Sequence, residues 1–291
     1  MHSPVMSTEK NISENQNMKN LIFQYIILND AVDTERGKIG DRNRTDVYRE
    51  MADISSRSFK IYADHIGAEH FFTTEALVTK DYSDSLSCYF EVLRLIYDTD
   101  FDAYDKVLFL DTDIVCNTFE NIFDVSEAEV AGVFESDIKS DQPGGYNAWD
   151  YDQKLFKDYC EKFEANDCPI VPVFPPNEPS RLMIMNTGVM VWTRDARIKA
   201  REKFDDWTKW QFGEPQKHMS INNDQPYISA QLMKHEFDVE GIDQTWNDTP
   251  THYDDVEGKG LQSNFLHYTG GGNKKVMIDQ YHRGLFKIFD Y

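Results

Sequence analysis

Four consecutive apolar side chains, Val107 to Leu110, run into Asp111; a second carboxylate follows at Asp113 before Ile114 and Val115 resume the apolar run. A half-exposed strand alternates apolar and polar residues. A run rich in β-branched and aromatic side chains without that alternation is covered on both faces, as the central strands of parallel sheets are. The segment KVLFLDTDIV therefore predicts a core strand whose carboxyl end surfaces at Asp111, Thr112 and Asp113.

The flanking segments supply the rest of such a sheet. Residues Asn20 to Asp30 form a second apolar strand that ends in the polar pair Asn29 and Asp30. A polar, glycine-containing loop follows, and then Tyr48, Met51, Ile54, Phe59, Tyr62 and Ile66 recur at helical spacing up to Gly67, a helix stop. AEHFFTTEAL reads as a short strand, and SLSCYFEVLRLIYDT places Leu86, Phe90, Leu93, Leu95 and Ile96 on one side of a helix. Strand, helix, strand, helix, strand is the rhythm of βαβ units. Farther on, Glu129 to Asp137 reads as a strand and IKSDQPGGYNAWDYDQ as a loop. RLMIMNTGVMVWTRDARI is a strand or strand pair around Asn186, Thr187 and Gly188, and a helix with Ile198, Phe204 and Trp207 follows. DQPYISAQLM opens a shorter helix, and NFLHYTGGGNKKVMI holds a strand ending at His267, three glycines and two lysines. No repeat or linker divides the chain. Residues 1–19 read as a polar tail and residues 20–291 as one α/β domain, a Rossmann-like, mostly parallel central sheet with helices on both faces.

Charge narrows the partners. Fifty-one acidic against thirty basic side chains leave −21, which repels nucleic acid, so an anionic substrate must be met by local lysine or arginine or by a metal ion. Cys88, Cys116, Cys160 and Cys168 contain no CxxC and suit reduced thiols in a cytoplasmic protein, with a Cys160–Cys168 bridge left open. The tail lacks the apolar core of a signal peptide, and no window approaches the ~18 apolar residues of a membrane span. A soluble protein is expected, with a homodimer admitted as its assembly.

In open α/β sheets ligands collect beyond the carboxyl ends of the strands. Residues i and i+2 of an extended chain point the same way, so Asp111 and Asp113 can face one cation. Hard oxygen ligands suit Mg²⁺ or Mn²⁺, ions that complete their shell with water and substrate phosphates. Other readings stand beside this one. Aspartates also open turns and cap helices. DTDIV resembles motif one of haloacid-dehalogenase-like phosphatases, with Asp111 as nucleophile and Asp254 and Asp255 as the later acidic pair, although here a long stretch of folded sequence precedes the motif. An acidic, aromatic-rich domain could also be a non-catalytic, metal-dependent carbohydrate-binding domain.

Four motifs occur in order: YDKVLFLDTDIV, MNTGVMVW, NNDQPYIS with QTWN downstream, and FLHYTGGGNKK. Through them, from residue 20 to about 275, the chain resembles glycosyltransferases of the GT-A fold, most of all the glycogenin-like family 8 of retaining enzymes. The resemblance implies that Asp111 and Asp113, with Thr112 between them, meet Mn²⁺ (or Mg²⁺) and the diphosphate of a nucleotide sugar. His267 is then the third metal ligand, which suits neutral imidazole. Gly270 and its neighbours would let the backbone approach phosphate, and Lys274 would reach the β-phosphate. The family spacing HxxGxxK puts Asn273 where lysine is expected, so Lys274 or Lys275 fits only after a one-residue slip. Asn186 and Gly188 match the segment that lines the sugar and acceptor. Asp224 and Gln225 match the pair cast as sugar ligand and as nucleophile or stabiliser, and Asp224 also suits a helix N-cap. Asn29 and Asp30 would lie near base and ribose, Arg94 where the family carries a basic residue, and Glu135 and Asp137 near sugar or acceptor. Tyr146, Trp149 and Tyr151 would stack on an acceptor or pack their own loop. The implied reaction moves a hexose from a UDP-sugar to a hydroxyl of a glycan or protein-linked glycan, with retention.

Overall fold

The computed structural model describes residues 18–28, 38–39, 42–82, 87–134, 184–212, 224–250, 260–270 and 272–290. Its strands, in chain order, are β1 Asn20–Tyr25, β2 Lys38–Ile39, β3 Arg42–Asn43, β4 Glu69–Thr73, β5 Lys106–Leu110, β6 Ile114–Cys116, β7 Val130–Phe134, β8 Met185–Thr193, β9 Val239–Gly241 and β10 Phe265–His267. The six-stranded sheet has the order β4-β1-β5-β8-β7-β9. β8 runs antiparallel to both its neighbours and every other pairing is parallel, so the sheet is mostly parallel, as the βαβ rhythm requires.

β5 lies inside this sheet with all five residues buried. Val107 and Phe109 pack with Phe23, Trp192 and Tyr227 on one face. Leu108 and Leu110 pack with Ile22, Tyr62 and Phe265 on the other. Two-sided burial is the physical reason the segment shows no alternation.

The helices are α1 Arg44–Ile66, α2 Arg94–Tyr97, α3 Arg194–Lys203, α4 Trp207–Phe212, α5 Asp224–Lys234 and α6 Asn273–His282. The Asn43 side chain caps α1 by accepting from the Thr45 N–H, and Gly67 ends it in the left-handed conformation at φ 75°, the role its sequence position suggested. Two expected helices differ. The segment before β5 is a 3₁₀ turn, Ser87–Leu93, followed by the short α2 and a second 3₁₀ turn, Thr99–Ala103. Phe90, Leu93 and Ile96 recur every third residue, a spacing that a three-residue turn serves as well as an α-helix. The helix expected through Trp207 breaks at Phe204, an extended C-cap, and α4 restarts where the Asp206 side chain accepts from the Thr208 N–H at 3.0 Å. Within RLMIMNTGVMVWTRDARI, Met185–Thr193 is a single strand and Arg194 begins α3.

Glu91 anchors the 3₁₀ turn. Fully buried, it accepts from the backbone N–H groups of Leu77, Val78 and Thr79 and from Thr79 Oγ1 at 2.8 to 3.0 Å. Glu91→Gln would turn an amide N–H₂ toward these donors. It is expected to lower the unfolding free energy by about 2 kcal/mol, measured by urea titration; an unchanged midpoint would contradict the anchoring role.

Cys88 and Cys116 are free thiols. Among the described residues no helix is long and apolar enough to cross a membrane. Cys160, Cys168, Asp254 and Asp255 lie outside the described residues.

Candidate metal centre

At the end of β5 the Asp111 N–H donates to the Gly188 carbonyl at 3.0 Å, and the buried Gln24 side chain donates to the Asp111 carbonyl at 3.3 Å. The strand stops there. Thr112 and Asp113 form a turn before β6, so the two carboxylates converge across a turn and not, as expected, along one face of an extended chain. The β6–β10 ribbon supplies the third group. His267 pairs opposite Ile114, and the Tyr268 N–H donates to the Asp113 carbonyl at 2.8 Å. His267 Nε2 thereby stands 3.1 Å from Asp113 Oδ1 and 3.8 Å from Asp111 Oδ2.

Asp111, Asp113 and His267 offer ligand atoms all within 4.8 Å of one another, the only such group of three among the described residues. Two carboxylates and an imidazole fit Mn²⁺ or Mg²⁺ in donor chemistry. The Asp111 side chain is 43 % exposed while those of Asp113 and His267 are nearly closed off, which leaves an open side for substrate. Lys274 forms an ion pair with the other Asp113 oxygen, and Lys275 is exposed. The one-residue slip therefore brings Lys274 to the cluster. Asn273, at the expected lysine position, donates instead to the Thr269 carbonyl at 2.6 Å. Gly270 has φ 79°, a turn that glycine makes without strain on the way into α6.

The charges are strongly coupled. Burial and the neighbouring Asp113 push Asp111 up to about 6. With 43 % of its side chain open to solvent, the neighbouring charge is the stronger cause. Burial opposes ionisation of Asp113, yet Lys274 and His267 hold it well below the carboxylate range. Burial likewise opposes the His267 cation, and Asp113 more than offsets it, so the net direction is up. The cluster is built for positive charge beside Asp113.

Gly188 and Asn186 lie directly against it. A Cβ on Gly188 would stand 2.5 Å from His267 Cε1, 2.8 Å from Asn186 Oδ1 and 3.1 Å from Asp111 Oδ2. Gly188 thus gives clearance to the cluster. Asn186 Oδ1 accepts from the Gly188 N–H at 2.9 Å and from Asn247 Nδ2 at 2.8 Å, and Asn247 Oδ1 lies 2.7 Å from His267 Nδ1.

Asp224 begins α5 and is buried. Burial and then Asp111 push it up to about 7, against a hydrogen bond from Thr187. Gln225 follows it, half-buried. The Tyr25 hydroxyl, at the end of β1, donates to the Tyr89 carbonyl at 3.0 Å; burial, Asp224 and Asp111 raise it well above the ordinary phenol. Arg94 is turned to structure, 3.0 Å from Asp98 with its guanidinium over Phe71. Asn29, Asp30, Glu135, Asp137, Tyr146, Trp149 and Tyr151 lie outside the described residues. Asn247, Thr187 and Tyr25 are the site neighbours that the sequence reading left without a role. Asn247 stands in the quoted QTWN motif and Thr187 in MNTG, whereas Tyr25 is hidden in an apolar strand.

The family model described as glycosyl transferase family 8 matches residues 5–275. The chain belongs to glycosyltransferase family 8. No curated protein gives a significant match. Among solved structures, the family 8 chain is similar to a glycosyltransferase involved in the glycosylation of the major capsid of PBCV-1, with a TM-score of 0.50 and 12 % identity over 89 % of this chain and 99 % of that one. Mouse xyloside xylosyltransferase 1 gives 0.43 and 15 %, covering 86 % and 97 %. Galactosyltransferase LgtC, in complex with donor and acceptor sugar analogs, gives 0.41 and 13 %, covering 91 % and 99 %. The fold is that of GT-A glycosyltransferases, and the family 8 chain is a glycosyltransferase, neither a phosphatase nor a non-catalytic carbohydrate-binding domain.

Proposed function

We propose that this family 8 enzyme moves a sugar, a hexose, from a UDP-linked donor to a hydroxyl of a glycan or protein-linked glycan, with retention, and that it needs Mn²⁺ or Mg²⁺. The observation that carries this reading is the convergence of Asp111, Asp113 and His267 Nε2 within 4.8 Å beside the Lys274 ammonium. Those three residues would hold the cation. When bound, the cation supplies a Lewis acid for the charge that grows on the departing diphosphate.

The chain's own groups divide the remaining work. Lys274, on the first turn of α6, offers a positive charge to the leaving diphosphate, and the Gly270 turn keeps the backbone clear of it. Asp224 and Gln225 present a carboxylate and an amide oxygen to the sugar carbon, whose transition state resembles an oxocarbenium ion. Asn29 and Asp30, following β1, would meet the base and ribose. Asn186 and Gly188 support the sugar side by holding the cluster in shape.

The test is a panel of nucleotide sugars assayed for nucleotide release. UDP-sugars are expected to be hydrolysed slowly with Mn²⁺, to stop with a chelator and to resume when the ion is returned. Release of nucleotide from no donor, or release indifferent to the chelator, would overturn the reading.

A further inference from the structure

One bond behind His267 has a polarity that cannot be reversed. The Gly188 backbone nitrogen lies 2.9 Å from the Asn186 side chain. A backbone N–H only donates, so the Asn186 atom facing it is the carbonyl oxygen. That same oxygen lies 2.8 Å from the Asn247 side chain, so the Asn247 atom there is the amide nitrogen. Asn247 must then turn its own carbonyl oxygen to His267, 2.7 Å from Nδ1, and Nδ1 must carry a proton.

From these choices we infer that Asn247, set by Asn186 and the Gly188 N–H, is a positioning residue: it makes Nδ1 the protonated nitrogen of His267 and leaves Nε2 to face Asp111 and Asp113. The inference rests on the proposed metal site. The backbone makes the reach dependable. The His267 N–H donates to the Asp248 carbonyl at 2.7 Å and the Asp248 N–H to the Phe265 carbonyl at 3.1 Å, so residue 247 is carried alongside β10. Asn247 is fully buried and Asn186 is 8 % exposed, which shields the relay from competing water. A ligating histidine needs its second ring nitrogen fixed by such a partner. A neutral amide does this without adding a third negative charge to a site that already holds two carboxylates.

Two measurements on the intact chain test the inference. In ¹⁵N-labelled protein, His267 Nδ1 is expected to show a directly bonded proton at acidic and at alkaline pH, because this nitrogen is protonated in both the neutral ring and the cation; an unprotonated Nδ1 in the neutral ring would overturn the assignment without any variant. By calorimetry with Mn²⁺ alone, Asn247→Leu is expected to weaken binding by about 10- to 100-fold. Wild-type affinity in Asn247→Leu would overturn the positioning role and leave the metal site standing. A wild-type chain that binds no Mn²⁺ would overturn both.

Discussion

Asp113→Asn is expected to lower metal-dependent donor hydrolysis by on the order of a thousandfold, equivalent to about 4 kcal/mol of transition-state stabilisation. Asp113 meets both basic neighbours of the cluster: Oδ1 is 3.1 Å from His267 Nε2 and the other oxygen pairs with Lys274. Those two groups hold it fully ionised at neutral pH, so the substitution removes a whole charge where the proposed cation needs one. Asp111, pushed up to about 6, is the weaker anion of the pair. The bond that ties this turn to β10 survives the substitution, because it uses the Asp113 backbone carbonyl, 2.8 Å from the Tyr268 nitrogen. The circular dichroism spectrum should therefore match wild type while Mn²⁺ binding falls with activity. A folded Asp113→Asn enzyme within tenfold of wild-type rate would remove Asp113 from the centre of the chemistry.

What the chain displays openly is what depends on one segment at a time. The two-sided burial of β5 is written in Val107 to Leu110, the stop of α1 in Gly67, and the donor types of the candidate centre in Asp111, Asp113 and His267. What stays hidden depends on residues distant in sequence. The turn at Thr112 and Asp113 follows from β6 folding back to pair with β10, which no local pattern announces. The tighter winding of Ser87–Leu93 goes with a buried Glu91 that takes donors from Leu77 to Thr79. Lys274 answers the one-residue slip through its ion pair with Asp113. Asn247 reads as one polar residue after a tryptophan until the backbone beside β10 brings it to His267. Gly188 is visible as a glycine in an apolar strand, but the reason for it lies in residues 111, 186 and 267 at once.

Gly188→Ala is accordingly expected to damage the centre nearly as much as loss of a ligand, lowering Mn²⁺ affinity and donor hydrolysis together by about 100-fold and stability by about 1–3 kcal/mol. The case is steric alone, since Gly188 does not have positive φ. The added methyl would stand 2.5 Å from His267 Cε1 and 2.8 Å from Asn186 Oδ1, inside any ordinary contact. Neither neighbour is the loose end of a flexible chain. The imidazole is 3 % exposed and held at both nitrogens, and Asn186 accepts the Gly188 N–H itself. The strand cannot slide away either, because the Gly188 carbonyl takes the Asp111 N–H and Val189 is in register with Leu110. Relief must therefore come from rotating the ring off Asn247 or from parting β8 from β5, and each would move Nε2 relative to the two carboxylates. Calorimetry with Mn²⁺ and urea unfolding read the two consequences separately. Wild-type Mn²⁺ affinity in a Gly188→Ala chain of any stability would mean that the imagined cation does not depend on where His267 stands, and the three-residue centre would then have to be redrawn without it.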